Sequence, residues 1–151
     1  MKIVVDTNIA FSAILNANSK IARIILQPRT RLNFYSTEQL LKEIAEHKQK
    51  LQQLTDYTDY ELDRMILLIT NRIRFINVRL IPKTIYEKSN ILVSDIDEDD
   101  TEFVALTEHL KGKLWSGDKE LQNGLIKKKW NKFISTNELF QLISKRRIDK
   151  K

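Results

Sequence analysis

Short runs of β-branched and other apolar residues alternate along this chain with stretches of helical periodicity, and that alternation admits few folds. Residues 2–5 (Lys-Ile-Val-Val) are too few and too evenly apolar for an amphipathic helix and predict a strand buried on both faces. Similar runs predict strands at 32–35, 113–116 and 132–135, and a short strand or extended connection at 74–78. Helical patterns lie between them, first at 8–17 and then at 19–27, where Pro28 ends the second. A long helix capped by Ser36 or Thr37 follows, with Leu40, Leu41, Ile44 and Leu51 at helical spacing. Another helix, at about 60–72, puts Leu62, Met65, Ile66 and Ile69 on one face, while residues 83–92 suit a helix or an irregular turn. An acidic knot at 95–100 leads into a helix with Phe103, Val104, Leu106 and Leu110, which Gly112 is placed to stop. Asp118 opens one more helix, and Thr136 caps the last, which carries Leu139, Phe140 and Ile143. Strands alternating with helices predict an α/β fold with a mainly parallel sheet.

Glycine and proline are too scarce, at three and two, to mark a domain boundary, and no repeat or low-complexity linker divides the chain. We read one domain over residues 1–145 and a basic tail over 146–151. With 42% hydrophobic residues the chain can build a core, which argues against disorder. No apolar stretch reaches the roughly 20 residues of a membrane span, so a cytoplasmic protein with no membrane partner is expected. Having no cysteine, the chain has no disulfide, thiolate metal site or cysteine nucleophile. Its formal net charge of +6 favours polyanionic partners.

In parallel α/β sheets, sites form beyond the carboxyl ends of the strands. Asp6 directly follows the first strand and Asp118 lies just past the strand at 113–116, so both belong on one rim. The acidic knot starts the helix that leads back to that strand, so it can face the same rim. Carboxylates gathered there repel one another unless a cation neutralises them, and hard divalent ions with oxygen ligands suit such a place. Each acid also suits a plainer role, as a turn residue or helix cap. Charge alone does not rank Asp97, Asp99 and Asp100, and spacing alone does not separate Glu43 from Glu38 and Glu46. His47 and His109 lack a paired ligand spacing and read as surface residues. No phosphate-cradling glycine loop or nucleophile elbow is present. An aspartyl-nucleophile phosphatase would want a second Asp where Asn8 stands.

Three motifs in order carry a resemblance. They are Ile3-Val4-Val5-Asp6-Thr7-Asn8, the stretch Asp97-Glu98-Asp99-Asp100-Thr101-Glu102-Phe103-Val104-Ala105-Leu106, and Leu114-Trp115-Ser116-Gly117-Asp118-Lys119-Glu120-Leu121. Together they resemble the signatures of PIN domains over almost the whole chain, most of all the stand-alone prokaryotic group that includes VapC-type toxins. The resemblance implies a three-layer α/β/α fold and a metal-dependent endoribonuclease. It selects Asp6, Glu43, Asp100 and Asp118 as catalytic acids, with Asp6, Asp100 and Asp118 holding Mg²⁺ or Mn²⁺. It makes Thr7, Asn8 and Ser116 supporting polar residues, with Asp97 as an outer acid. RNA is the implied substrate, and an antitoxin protein or a second copy is a possible partner. Thr107-Glu108-His109 departs from the small residues that PIN domains often carry there. Lys127, Lys128, Lys129 and Trp130 are weaker candidates for gripping nucleic acid, as are Arg72, Arg74, Arg79 and Lys145-Arg146-Arg147. The competing readings are a non-catalytic nucleic-acid- or protein-binding PIN module and a DNA-acting nuclease.

Overall fold

In the computed structural model, which describes residues 1–28 and 31–149, a sheet runs through the middle of the molecule. Its strands are β1 (Lys2–Val5), β2 (Asn33–Thr37), β3 (Ile73–Ile76), β4 (Lys113–Trp115) and β5 (Phe133–Ile134), in the order β3-β2-β1-β4-β5. Every neighbouring pair is parallel. The helices are α1 (Thr7–Leu15), α2 (Lys20–Ile25), α3 (Glu38–Glu46), α4 (Lys48–Gln53), α5 (Asp59–Thr70), α6 (Lys83–Val93), α7 (Thr101–Leu110), α8 (Lys119–Lys127) and α9 (Thr136–Asp149). Single 3₁₀ turns stand at Val78–Leu80 and Glu98–Asp100.

Both faces of the sheet are covered, which makes three layers. Side chains alternate across a strand, and β1 divides accordingly. Ile3 and Val5 join one core with Phe34, Trp115 and the inner faces of α1 to α5 and α9. Val4 joins the other with Leu114, Phe103, Leu106 and Leu125, beneath α6, α7 and α8. The side chains of Ile3, Val4 and Val5 are all fully buried, the arrangement expected of an apolar run with no polar face.

Several expectations shift by a residue or an element. The long helix beginning near residue 37 is two, α3 and α4, broken at His47 (φ −104°, ψ 10°). The His47 ring there packs on Phe11, with its Nδ1 2.9 Å from the Glu43 carbonyl. Neither proposed cap of α3 bonds to it: Thr37 holds the cap position without a side-chain bond, and Ser36 Oγ donates to the Val5 carbonyl instead. Ser135, rather than Thr136, caps α9, exchanging hydrogen bonds with Glu138; Thr136 Oγ1 accepts the indole N–H of Trp115. Lys111 (φ 55°), not Gly112, takes the left-handed position that ends α7. Gly112 is needed for a different reason, since a Cβ there would stand 2.5 Å from the backbone oxygen of Lys2. Residues 83–92 are helical, within α6. The segment read as a tail continues α9 as far as Asp149, and residues 150–151 lie outside the described residues.

Candidate active site

The chain order reverses between β1 and β4. From β1 it winds outward through β2 to β3, then crosses back to place β4 on the other side of β1. The helices leaving two such strands diverge and open a crevice at their carboxyl ends. Asp6 leaves β1 on one side of that crevice, and Ser116 and Asp118 leave β4 on the other. The Asp6 N–H still bonds to the Trp115 carbonyl (3.4 Å), so the ladder runs up to the first acid. Glu43 on α3 and Asp100 at the start of α7 complete the walls. All four acids line one cavity of about 890 Å³, together with Thr7, Asn8 and Asp97. The rim expected from the sequence is therefore the rim observed.

Two of the acids cap helices while also lining the cavity. Asp6 Oδ1 accepts the N–H of Ile9 (2.9 Å) and caps α1, while Asp118 Oδ1 accepts the N–H of Leu121 (3.1 Å) and caps α8. The positive ends of both helices thereby face the cavity and favour negative charge there. Ser116 ties the two acids together from behind. It is buried, its Oγ accepts the Asp118 N–H (3.1 Å), and its hydroxyl donates to the Asp6 carboxylate. Its carbonyl is fixed in turn by Gln122 Nε2 (2.6 Å).

Burial raises the Asp6 carboxyl to about 6. The bonds from Ser116 and Ile9 oppose that rise, and the charges of Asp118 and Glu43 add to it. Asp100 is raised to about 7, by burial first and then by Asp97, Asp118, Asp6 and Asp99. Its Oδ2 is buried without a hydrogen-bond partner, as is the Thr7 hydroxyl.

On α3 the structure brings Glu38, Glu43 and Glu46 all into the cavity wall, but Glu43 is distinguished by its connections. Its Oε1 accepts from Gln39 Nε2 (2.7 Å), which also donates to the Asp99 carbonyl (3.0 Å). Asp97 caps the 3₁₀ turn through the Asp99 N–H (3.0 Å) and presses its charge on Asp100, as an outer acid would. Two participants escaped the sequence reading. Gln39 gave no signal, because one amide on a helix has none. Glu102 belongs to the cavity, with its carboxyl raised by burial and by Glu43 and Glu38. It sits in the second motif, where the acids before it mask its signal.

The proposed grip on nucleic acid is corrected at Trp130. The side chain is 7% exposed, its Nε1 donates to Glu108 Oε1 (2.6 Å), and it meets Phe133 edge-on at 5.1 Å. A ring so enclosed has no face for a base. Lys128 is engaged by Asp95 and by the Leu92 carbonyl (2.6 Å). Lys127 and Lys128 end the helix that Asp118 begins, and neither they nor Lys129 line the cavity. Arg72, Arg74 and Arg79 are exposed away from it too, and the side chains of 145–147 lie outside the described residues. His47 stands at the cavity wall, and His109 does not.

A family model described as a PIN domain matches residues 4–138. The chain belongs to the PIN-domain family. No curated protein matches the chain. PIN domains are generally nucleases that act with divalent metal ions, which supports a hydrolase working on nucleic acid. The residues present fit such an ion. The donors are hard oxygens, they repel one another, and Asp100 Oδ2 is buried with nothing to bond. As the side chains stand, no three His, Asp or Glu residues among those described are arranged to hold an ion. That is compatible with Mg²⁺, which takes one or two carboxylates and completes its shell with waters and substrate phosphates. Among the described residues no helix is long and apolar enough to cross a membrane.

Proposed function

We propose that this PIN domain is a metal-dependent endoribonuclease in which Asp6, Glu43, Asp100 and Asp118 are the catalytic acids. The observation that carries the reading is their convergence, from four separate segments, on the wall of one cavity. Asp6, Asp100 and Asp118 would hold Mg²⁺ or Mn²⁺. When bound, the ion supplies positive charge to the phosphate and makes water a better nucleophile near neutral pH.

The chain's own groups do the rest. Ser116 and the capping amides fix Asp6 and Asp118 in place. Glu43 reaches the cavity directly or through water, at a position Gln39 sets. The Asp100 carboxylate, at the cavity wall, can accept a hydrogen from the attacking water and orient it. Water oxygen bonds to phosphorus and gives up a proton to solvent as the bond to the 3′-oxygen breaks, and the departing oxygen takes up a proton from solvent. The products are a 5′-phosphate and a 3′-hydroxyl. In this reading residues 1–145 are the catalytic unit, 146–151 add basic charge, and the protein works in the cytoplasm. Exposed Leu41 on α3 and exposed Tyr60 and Leu67 on α5 offer apolar surface to an antitoxin or a second copy, in keeping with a toxin–antitoxin role.

The test is cleavage of labelled RNAs and DNAs by wild type and Asp100→Asn, in Mg²⁺, in Mn²⁺ and with EDTA. RNA cutting that needs metal and vanishes in the variant supports the proposal. Cutting confined to DNA would reassign the substrate. Equal backgrounds from both proteins, with RNA or a protein partner still bound, would establish a non-catalytic binding module.

A further inference from the structure

The cavity wall holds ten carboxylates and, among the described residues, one lysine or arginine, Lys42. A nucleic-acid strand carries a negative charge at every nucleotide. Divalent ions can neutralise the phosphate under attack, but its neighbours must still pass a wall of Glu38, Glu46 and Glu98. Among the described residues no other lysine or arginine lines the cavity, and the lysine run 127–129 sits at the far end of α8.

Lys42 lies on α3, beside Glu43 and four residues from both Glu38 and Glu46. Glutamates at that spacing normally draw a helical lysine into surface ion pairs. Lys42 makes no ion pair with either of them, nor with any other described residue. Its side chain is exposed, so the ammonium keeps three donors available on a flexible stem. Its charge is felt across the cavity at Glu102, where it offsets part of the rise caused by burial, Glu43 and Glu38.

We propose that Lys42 is the residue that grips the RNA backbone, holding a phosphate next to the one being cleaved. The inference rests on the nuclease reading and adds to it a substrate-binding residue that none of the three sequence motifs contains. Lys42 takes no part in bond breaking; it sets where the strand lies against the acids.

The experiment measures binding of a short fluorescein-labelled single-stranded RNA by anisotropy, in Ca²⁺ and over a series of salt concentrations. Wild type, Lys42→Met and Lys42→Arg are compared. Loss of one charge-assisted phosphate contact should weaken binding by about tenfold. The slope of log affinity against log salt should become shallower by about 0.7, the value for one phosphate on a single strand. Lys42→Arg should recover both. In cleavage, Lys42→Met should raise KM and leave kcat close to wild type. Unchanged affinity and slope in Lys42→Met, or a wild type that binds no RNA, overturns the proposal. So does tighter Mn²⁺ binding by Lys42→Met with RNA binding unaltered, which would make the lysine an internal counter-ion. If wild type binds RNA through Lys42 but cuts it with no metal, the nuclease reading fails and the lysine assignment stands.

Discussion

Ser116 holds the two ends of the site together, and its loss should be felt by both. Ser116→Ala removes the hydroxyl that donates to Asp6 and accepts the Asp118 N–H. The bond to Asp6 lowers that carboxyl, so without it the Asp6 carboxyl should rise further above about 6. More of it is then protonated at neutral pH, and metal must displace more protons to bind. Mn²⁺ affinity and cleavage should fall by roughly 10–100-fold, as for other groups that orient a metal ligand. Much of the affinity loss should be recovered on raising the pH. Titration of Mn²⁺ binding at several pH values checks this, and a loss that is equal at every pH would contradict it. At this scale the sequence was informative where a residue's position along a strand decides its role. Asp6 and Asp118 were placed by the strand-end rule alone. Asp100 needed the resemblance, because four neighbouring acids look alike until folding buries one carboxylate oxygen and leaves the others wet. Sequence alone leaves Trp130 open, because a tryptophan beside three lysines reads the same whether its ring is outside or, as here, sealed against Phe133.

Two glycines separate what a helix does for stability from what it does for the site. Gly112 lets the end of α7 pass the backbone of β1, where a Cβ would stand 2.5 Å from the Lys2 oxygen. Paired strands cannot give way, so Gly112→Ala should cost about 1–3 kcal/mol of stability. Gly124 on α8 faces a softer neighbour, since its Cβ would meet Ile96 Cδ1 at 2.5 Å, the tip of a side chain. Ile96 can move, but it belongs to the segment that carries Asp97 and Asp100. Gly124→Ala should therefore lower Tm less than Gly112→Ala and lower kcat more. Thermal unfolding and steady-state cleavage of the two variants decide the matter, and Ile96→Val should restore activity to Gly124→Ala. The elements themselves were legible in sequence because apolar spacing switches cleanly between strand and helix periods. What failed was local and side-chain dependent. Periodicity passes unbroken through His47, whose ring packs against Phe11. Cap assignments slipped because adjacent hydroxyls, Ser36 with Thr37 and Ser135 with Thr136, compete for tertiary partners that spacing does not reveal.

For the whole molecule, the raised carboxyls make stability depend on pH in an unusual direction. Asp6 and Asp100 go from an ordinary 3.8 when unfolded to about 6 and about 7 when folded. Between those values the metal-free native state binds more protons than the unfolded chain, so stability falls as pH rises. Their contribution is intact below about 3.8, and its loss is complete above about 7. A divalent ion relieves the repulsion, and at about a hundred times its Kd it adds about 2.7 kcal/mol. For a chain of this size that corresponds to roughly 5–10 °C in Tm. The gain should be larger at pH 8 than at pH 5, reversed by EDTA, and much reduced in Asp100→Asn. Scanning calorimetry with and without Mg²⁺ at the two pH values is the measurement, and a gain that is greater at pH 5 would refute the site. The layered α/β architecture was readable from alternation of elements, whereas the strand order was not. Parallel strands pair across long connections, and nothing local says that β4 returns beside β1 rather than beyond β3.

The two hydrophobic cores meet at the sheet and neither includes a cavity acid. The helix ends beside the cavity already soften the repulsion among its charges before any ion arrives. Small metal-nucleated domains need the ion as a template and are unfolded without it. For the nuclease proposed above, construction and arming are then separate events: the polypeptide finishes folding as a shell, and the supply of a cation, rather than the completion of its architecture, switches on the proposed chemistry.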